Sequence, residues 1–283
     1  MTASMKAVVL TYHAHHVVGD DYARNDHIAL AADLELITDA GCAIVPLAGL
    51  VDRLLGTPGA DGSVQVAITF DDGPIYDFEG FTHPRFGPQR GFLPIMRDFI
   101  AAKGARAQPA LGATSFVIAS PEARRTIEAT YDAAYTYVGA GAMTDAWWTP
   151  AIDSGLISIA NHSWDHLHPA LPRVAHSRQV RADFTQVLSV ADADAQIAQA
   201  EAFIAAHTKQ RNAPFFAYPF GQSNAFLVED YFPRNAQRLG LRAAFTDEPR
   251  PITRGESRWR LPRFICGHHW KSPEELRSIL AQA

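Results

Sequence analysis

The chain has 283 residues, 47% of them hydrophobic and 19% charged, enough to bury a sizeable core, and α/β barrels commonly reach this length undivided, so one domain over 1–283 is expected. A formal net charge of -5 and a sequence pI of about 6.2 give no electrostatic footprint for nucleic acid or anionic lipid and leave a small or neutral substrate. No apolar run approaches the roughly 20 residues that span a bilayer, and the opening MTASMKAVVLTYH lacks the parts of a secretory signal, so a cytoplasmic protein with no membrane partner is expected.

Apolar runs alternate with longer amphipathic stretches, the pattern of βα units around a largely parallel sheet. KAVVLTYH reads as a buried strand. HIALAADLELITDAGC reads as a helix with Leu30, Leu34 and Ile37 on one face, closed near Gly41. AIVPLAGLVDRLLG gives a short strand and a helix, and VQVAITF a strand with two acids at its carboxyl end. RGFLPIMRDFIAAKG is helical and LGATSFVIAS is the next strand. Residues 121–145 have helical patches ending in a glycine-rich turn and are expected to be an insertion. DAWWTPAIDSG reads as a short helix, LISIANHS as a strand and DADAQIAQAEAFIAAHTKQ as a long helix. APFFAYPFG and LRAAFT are strands flanking the helix FPRNAQRLG, and SPEELRSILAQ is a closing helix started by Ser272-Pro273. The polar groups of interest follow strands, the face on which βα barrels place their chemistry. Cys42 and Cys266 lack metal-type spacing and read as two reduced, buried thiols.

Two constellations carry chemistry. Asp71 and Asp72 stand side by side before Gly73-Pro74. An N-cap or turn role is ordinary for such a pair, but two acids delivered together by a hydrophobic strand are costly without a counter-charge. In ISIANHSWDHLHP, His162 and His166 are four apart, a spacing that lets both imidazoles face one point, with Asn161 and Ser163 available to bond the first ring. His168 and Asp165 read as surface or supporting groups. One carboxylate and two imidazoles make a facial ligand set with open positions that suits Zn²⁺, Co²⁺, Ni²⁺ or Fe²⁺. One acid is then spare and can serve as general base toward an activated water.

TFDDGP (69–74) and HSWDH (162–166) resemble the first two motifs of the polysaccharide deacetylase family, the NodB-homology or carbohydrate esterase family 4 proteins. FAYPFG (216–221) is similar to the third motif, in the form found in poly-N-acetylglucosamine deacetylase relatives, and LTYHAHH with HIALAADLELITDAGCAIVPL resembles the same subgroup. The likeness runs in order over residues 6–265. It implies an α/β fold, a distorted (β/α) barrel of the NodB type with fewer strands than a full TIM barrel. It also implies metal-dependent removal of an acetyl group, chiefly N-acetyl, from a carbohydrate or related amide by metal-activated water, with zinc placed first among the ions. Asp71 then matches the general base. Asp72, His162 and His166 match the metal ligands, and Phe220 the backbone donor to the oxyanion.

Two departures stand out. The arginine that often opens the third motif and tethers the base is missing at Phe216 and Ala217. Arg263 in RLPRF or an arginine of HSRQVR is a candidate substitute, and each reads by itself as a surface or core-edge cation. The late histidine that serves as general acid is met only by His268 and His269 in CGHHW, without the surrounding pattern. His13, after the first strand, is expected to line the pocket, with Tyr218, Pro219 and Trp164 as further substrate contacts, whereas His15 and His16 read as loop residues. Trp147, Trp148 and Trp270 could stack on sugars, but tryptophans at helical or strand positions are more often core. Competing readings are a cyclic amide or imide hydrolase on the same fold and a non-catalytic carbohydrate-binding protein. The sequence does not set an oligomeric state.

Overall fold

The structure is a computed structural model that describes residues 7–56, 64–130 and 137–283. In chain order the elements are β1 (Ala7–Tyr12), α1 (Asp26–Asp39), β2 (Ala43–Ile44), α2 (Leu47–Leu55), β3 (Gln65–Asp72), a hairpin of β4 (Phe81–His83) and β5 (Gly87–Gln89), α3 (Phe92–Lys103), β6 (Ala113–Val117), α4 (Pro121–Thr130), α5 (Trp148–Asp153), β7 (Ile157–Asn161), α6 (Val190–Ala193), α7 (Gln199–His207), β8 (Phe215–Ala217), α8 (Phe232–Leu239), β9 (Ala243–Phe245), β10 (Phe264–Ile265) and α9 (Pro273–Gln282). Eight strands form one sheet in the order β10-β1-β3-β6-β7-β8-β9, with β2 paired to the start of β3. All of these pairings are parallel. Leu261 bridges to Phe245 of β9 while Phe264 and Ile265 pair with Leu10 and Thr11 of β1. The short stretch 261–265 therefore joins the two edges, and the sheet curls into a distorted (β/α) barrel.

Side chains alternate across each strand with period 2, and this divides the core in two. Ala7, Val9, Ala67, Phe116, Ala160, Phe215, Ala217, Ala243, Phe245 and Leu261 form an interior cluster joined by Leu47, Leu50 and Val51 of α2. Their neighbours of opposite parity, including Val8, Leu10, Tyr12, Ile68, Phe70, Ile159 and Phe216, pack outward against the helices. Small alanines alternate with a few phenylalanines inside because a narrow barrel has room for little else. The same parity carries Ala67 and Thr69 on to Asp71, so this acid faces the barrel interior.

The expected strands and helices are present at the expected places, with informative differences. The long helix expected at 192–210 contains a π-helical stretch, Asp194–Ala198. Its carbonyls serve the neighbouring loop: Gln196 O accepts from Trp164 N at 2.7 Å and Ile197 O from Asn161 Nδ2 at 3.1 Å. In the segment expected to be an insertion, residues 131–136 lie outside the described residues. The remainder is α4 followed by a return that docks beside the first strand, where Tyr137 N donates to His15 O at 3.0 Å and Ile75 N to Ala142 O at 2.7 Å. The β4–β5 hairpin has too little alternation to be read in sequence. Both cysteines are buried and free. Among the described residues, no helix is long and apolar enough to cross a membrane.

Candidate active site

The carboxyl ends of the strands meet at one mouth, over a cavity of about 390 Å³. Strand β3 delivers both acids there although adjacent strand residues point to opposite faces. Asp71 follows the interior parity. Asp72 reaches the same cavity because its φ is 73°, a left-handed turn that Asp tolerates better than most residues, and Gly73 repeats it at 73°. A Cβ on Gly73 would lie 2.6 Å from Val117 Cγ1 on the paired strand, so only glycine fits that turn.

The two acids have different partners. Asp71 is buried and receives both ends of the Arg263 guanidinium, Nη1 to Oδ1 and Nη2 to Oδ2, each at 2.8 Å. Arg263 is itself only 1% exposed, donates Nε to Thr246 O at 3.0 Å and lies over the Phe116 ring at 5.4 Å. Burial would push the Asp71 carboxyl up, but Arg263, His162 and His13 together outweigh it and hold the group below the usual carboxylate range. Asp72 instead presents Oδ1 at 3.6 Å from the Nε2 of both His162 and His166. Burial opposes its charge too, and the pull of His166, His15 and His162, exerted while those rings are protonated, more than offsets this and lowers its pKa.

The histidine pair is held by the backbone rather than by the side chains expected to do so. His162 Nδ1 lies 2.9 Å from Ala217 O. A carbonyl only accepts, so Nδ1 carries a hydrogen and Nε2 is the nitrogen turned toward Asp72. Asn161 and Ser163 do not bond that ring. Asn161 Oδ1 accepts from Ser163 N at 2.8 Å, and Ser163 Oγ accepts from His166 N at 2.9 Å. Asn161 is anchored behind by Glu201 at 3.0 Å, and Asp165 ties the loop through Leu167 N at 2.9 Å and Gln196 Nε2 at 2.7 Å. Ser163 and His166 both adopt left-handed φ, 72° and 61°, local strain of the kind that a functional turn retains. Burial lowers the His166 pKa to about 3, which leaves a neutral imidazole suited to ligation. The ligand atoms of Asp72, His162 and His166 all lie within 4.8 Å of one another. A donor set of one carboxylate and two imidazoles fits a divalent transition ion.

Other expected contacts divide clearly. His13, Phe220 and His268 line the cavity, as do His15 and His168, and the Phe220 ring packs edge-on to His166 at 4.4 Å. His269 does not line it. Its Nδ1 accepts from Ile265 N at 2.8 Å, so that ring caps its own turn. Tyr218 has the outward parity of β8, packs on Phe216 and Phe232 and donates to Trp259 O at 2.8 Å. Pro219 is buried beside it, and neither reaches the cavity. Trp164 packs against Phe203 and borders a separate small cavity with Ser120 and Pro172. Trp147, Trp148 and Trp270 are core. The reading of Arg263 as a surface or core-edge cation is corrected, since it is the partner of Asp71. Arg178 and Arg181 of HSRQVR bond instead to Gln186 and to the 171–172 backbone. His15, read as a loop residue, is buried with Nε2 3.6 Å from Asp72 Oδ2.

Residues 59–244 match the polysaccharide deacetylase family. The chain belongs to that family. Its fold is similar to that of the Streptococcus pyogenes deacetylase PplD in complex with acetate, with a TM-score of 0.63 at 19% identity, covering 98% of this chain and 99% of that one. IcaB from Ammonifex degensii gives a TM-score of 0.59 at 17% identity, covering 98% and 97%. The BpsB deacetylase domain from Bordetella bronchiseptica gives 0.57 at 17%, covering 94% and 97%. No curated protein sequence matches the chain significantly. These likenesses, each at under 25% identity, show that the chain shares the fold of those proteins.

Proposed function

We propose that the protein is a metal-dependent deacetylase that removes an N-acetyl group from an amino sugar. The observation that carries this reading is the separate engagement of two adjacent acids, Asp71 by a buried arginine and Asp72 by two imidazoles. Asp72, His162 and His166 would hold one divalent ion, zinc first and cobalt, nickel or iron as alternatives. The chemistry such an ion supplies when bound is Lewis acidity toward the acetyl carbonyl and an acidified water.

The protein's own groups do the rest. Asp71, kept ionised and fixed in orientation by the bidentate Arg263, accepts a proton from the water that attacks the acetyl carbon. The backbone N–H of Phe220, at the cavity edge, is the donor for the developing oxyanion. As the carbon–nitrogen bond breaks, the amine needs one proton, and the imidazoles of His13 and His268 are the cavity groups suited to deliver it. The products are acetate and the free amine. A silent carbohydrate-binding protein would have no use for an arginine buried to hold a base.

Chelation followed by add-back of zinc, cobalt or nickel, with acetate release from N-acetylglucosamine oligomers as the readout, tests the reading. Activity should vanish on chelation and return with at least one metal. Undiminished release after chelation, or none with any metal, would contradict it.

A further inference from the structure

A carboxylate that ligates through one oxygen has a second oxygen to satisfy, and an unrestrained one rotates between monodentate and bidentate modes. In Asp72, Oδ1 faces His162 and His166, whereas Oδ2 faces the Nε2 of His15 at 3.6 Å. We propose that His15 is a positioning residue that holds Asp72 by its second oxygen and so presets the metal site, an inference that rests on the metal reading above.

Three observations carry it. The His15 ring falls outside the compact group formed by Asp72, His162 and His166, so it acts on the carboxylate from the far side rather than as a fourth ligand. A contact of 3.6 Å exceeds hydrogen-bond length, but the terminal torsion of Asp is broad, and a modest rotation of the carboxylate closes the gap. The main chain that carries the ring is also fixed. His15 O accepts from Val17 N and Tyr137 N, each at 3.0 Å, and Ala14 O accepts from His27 Nε2 at 2.7 Å. On either side, Asp26 takes His13 N and His16 Nδ1, each at 2.7 Å. These ties fix the backbone from which the ring reaches Asp72. Hydrogen bonds to ligating carboxylates are commonly worth 10–100-fold in metal affinity.

The competing role is packing alone, since His15 is buried. Two substitutions separate the roles. His15→Phe keeps the ring volume and removes the donor, while His15→Gln keeps a donor near the Nε2 position. Should the phenyl ring prevent folding, His15→Met, apolar and flexible, replaces it. Zinc alone is the probe, its affinity read by competition with a fluorescent chelator, and metal-free melting temperatures report folding. The expected result is zinc binding weakened about 10–100-fold by His15→Phe and largely recovered by His15→Gln, with similar metal-free melting of the two variants. Zinc binding by His15→Phe equal to that of wild type would overturn the proposal, and so would a His15→Gln variant that folds but binds as weakly as His15→Phe. A wild-type chain that binds no zinc would instead sink the metal reading itself, a distinguishable failure.

Discussion

Neighbouring residues of β1 lead to two buried carboxylates with opposite electrostatics. Thr11 faces the barrel interior, where its hydroxyl meets Thr69 at 2.8 Å beneath Asp71. Tyr12 faces outward and donates to Asp33 of α1 at 2.8 Å, joined there by Tyr22 at 2.5 Å and Trp270 Nε1 at 3.3 Å. Asp33 therefore has every hydrogen bond it needs and no counter-charge, and burial pushes its pKa up to about 6. Asp71 has the full charge of Arg263 and lies on the other side of its usual value. Neutral donors satisfy geometry. At Asp71 the cation outweighs burial and keeps the acid ionised, which the neutral donors around Asp33 do not do.

The comparison breaks most visibly at Arg263. Arg263→Met leaves Asp71 buried and uncompensated, which should cost about 3–5 kcal/mol of stability and, through a misplaced base, on the order of 10²-fold in turnover. Thermal melting and acetate release check both, and Arg263→Lys should restore only part, because an ammonium has no two-pronged fork. Full activity in Arg263→Met would remove the arginine from the account. A smaller effect is expected at Asp33. Its unfolded-chain pKa is near 4 and its folded pKa about 6. Between these values the folded state holds the extra proton, so stability falls as pH rises, by roughly 3 kcal/mol in all. Asp33→Asn should flatten that part of the pH–stability profile in urea titrations while leaving deacetylation intact. An unchanged slope would show that Asp33 does not titrate there.

Much of this was legible in the residues, and the misses share a cause. The parallel βα sheet, the acids ending β3 and the convergence of His162 with His166 follow from alternation and four-residue spacing, whereas the distorted barrel is what the resemblance of TFDDGP and HSWDH to the family's motifs implies. The role of Arg263 is hard to see in the sequence because its partner is 192 positions away and the pairing depends on how 261–265 closes the barrel. A signal was present all the same: LPRFI is an apolar run with a charge inside it, and such an arginine needs an acid from elsewhere in the fold. For Tyr218 the sequence does hold the correcting signal. Alternation along β8 puts Ala217 inside and so Tyr218 outside, whatever its nearness to the motif proline. His15 left no comparable trace, since its place depends on a non-repetitive turn fixed by Asp26 and His27.

The central claim is that adjacent like charges hold separate tasks, and one paired measurement tests it: zinc content and acetate release for Asp71→Asn beside Asp72→Asn. The account predicts that Asp71→Asn keeps its zinc and loses turnover by about 10²–10⁴-fold, while Asp72→Asn loses both. Loss of zinc with turnover in Asp71→Asn, or substantial turnover surviving in it, would contradict the division of labour.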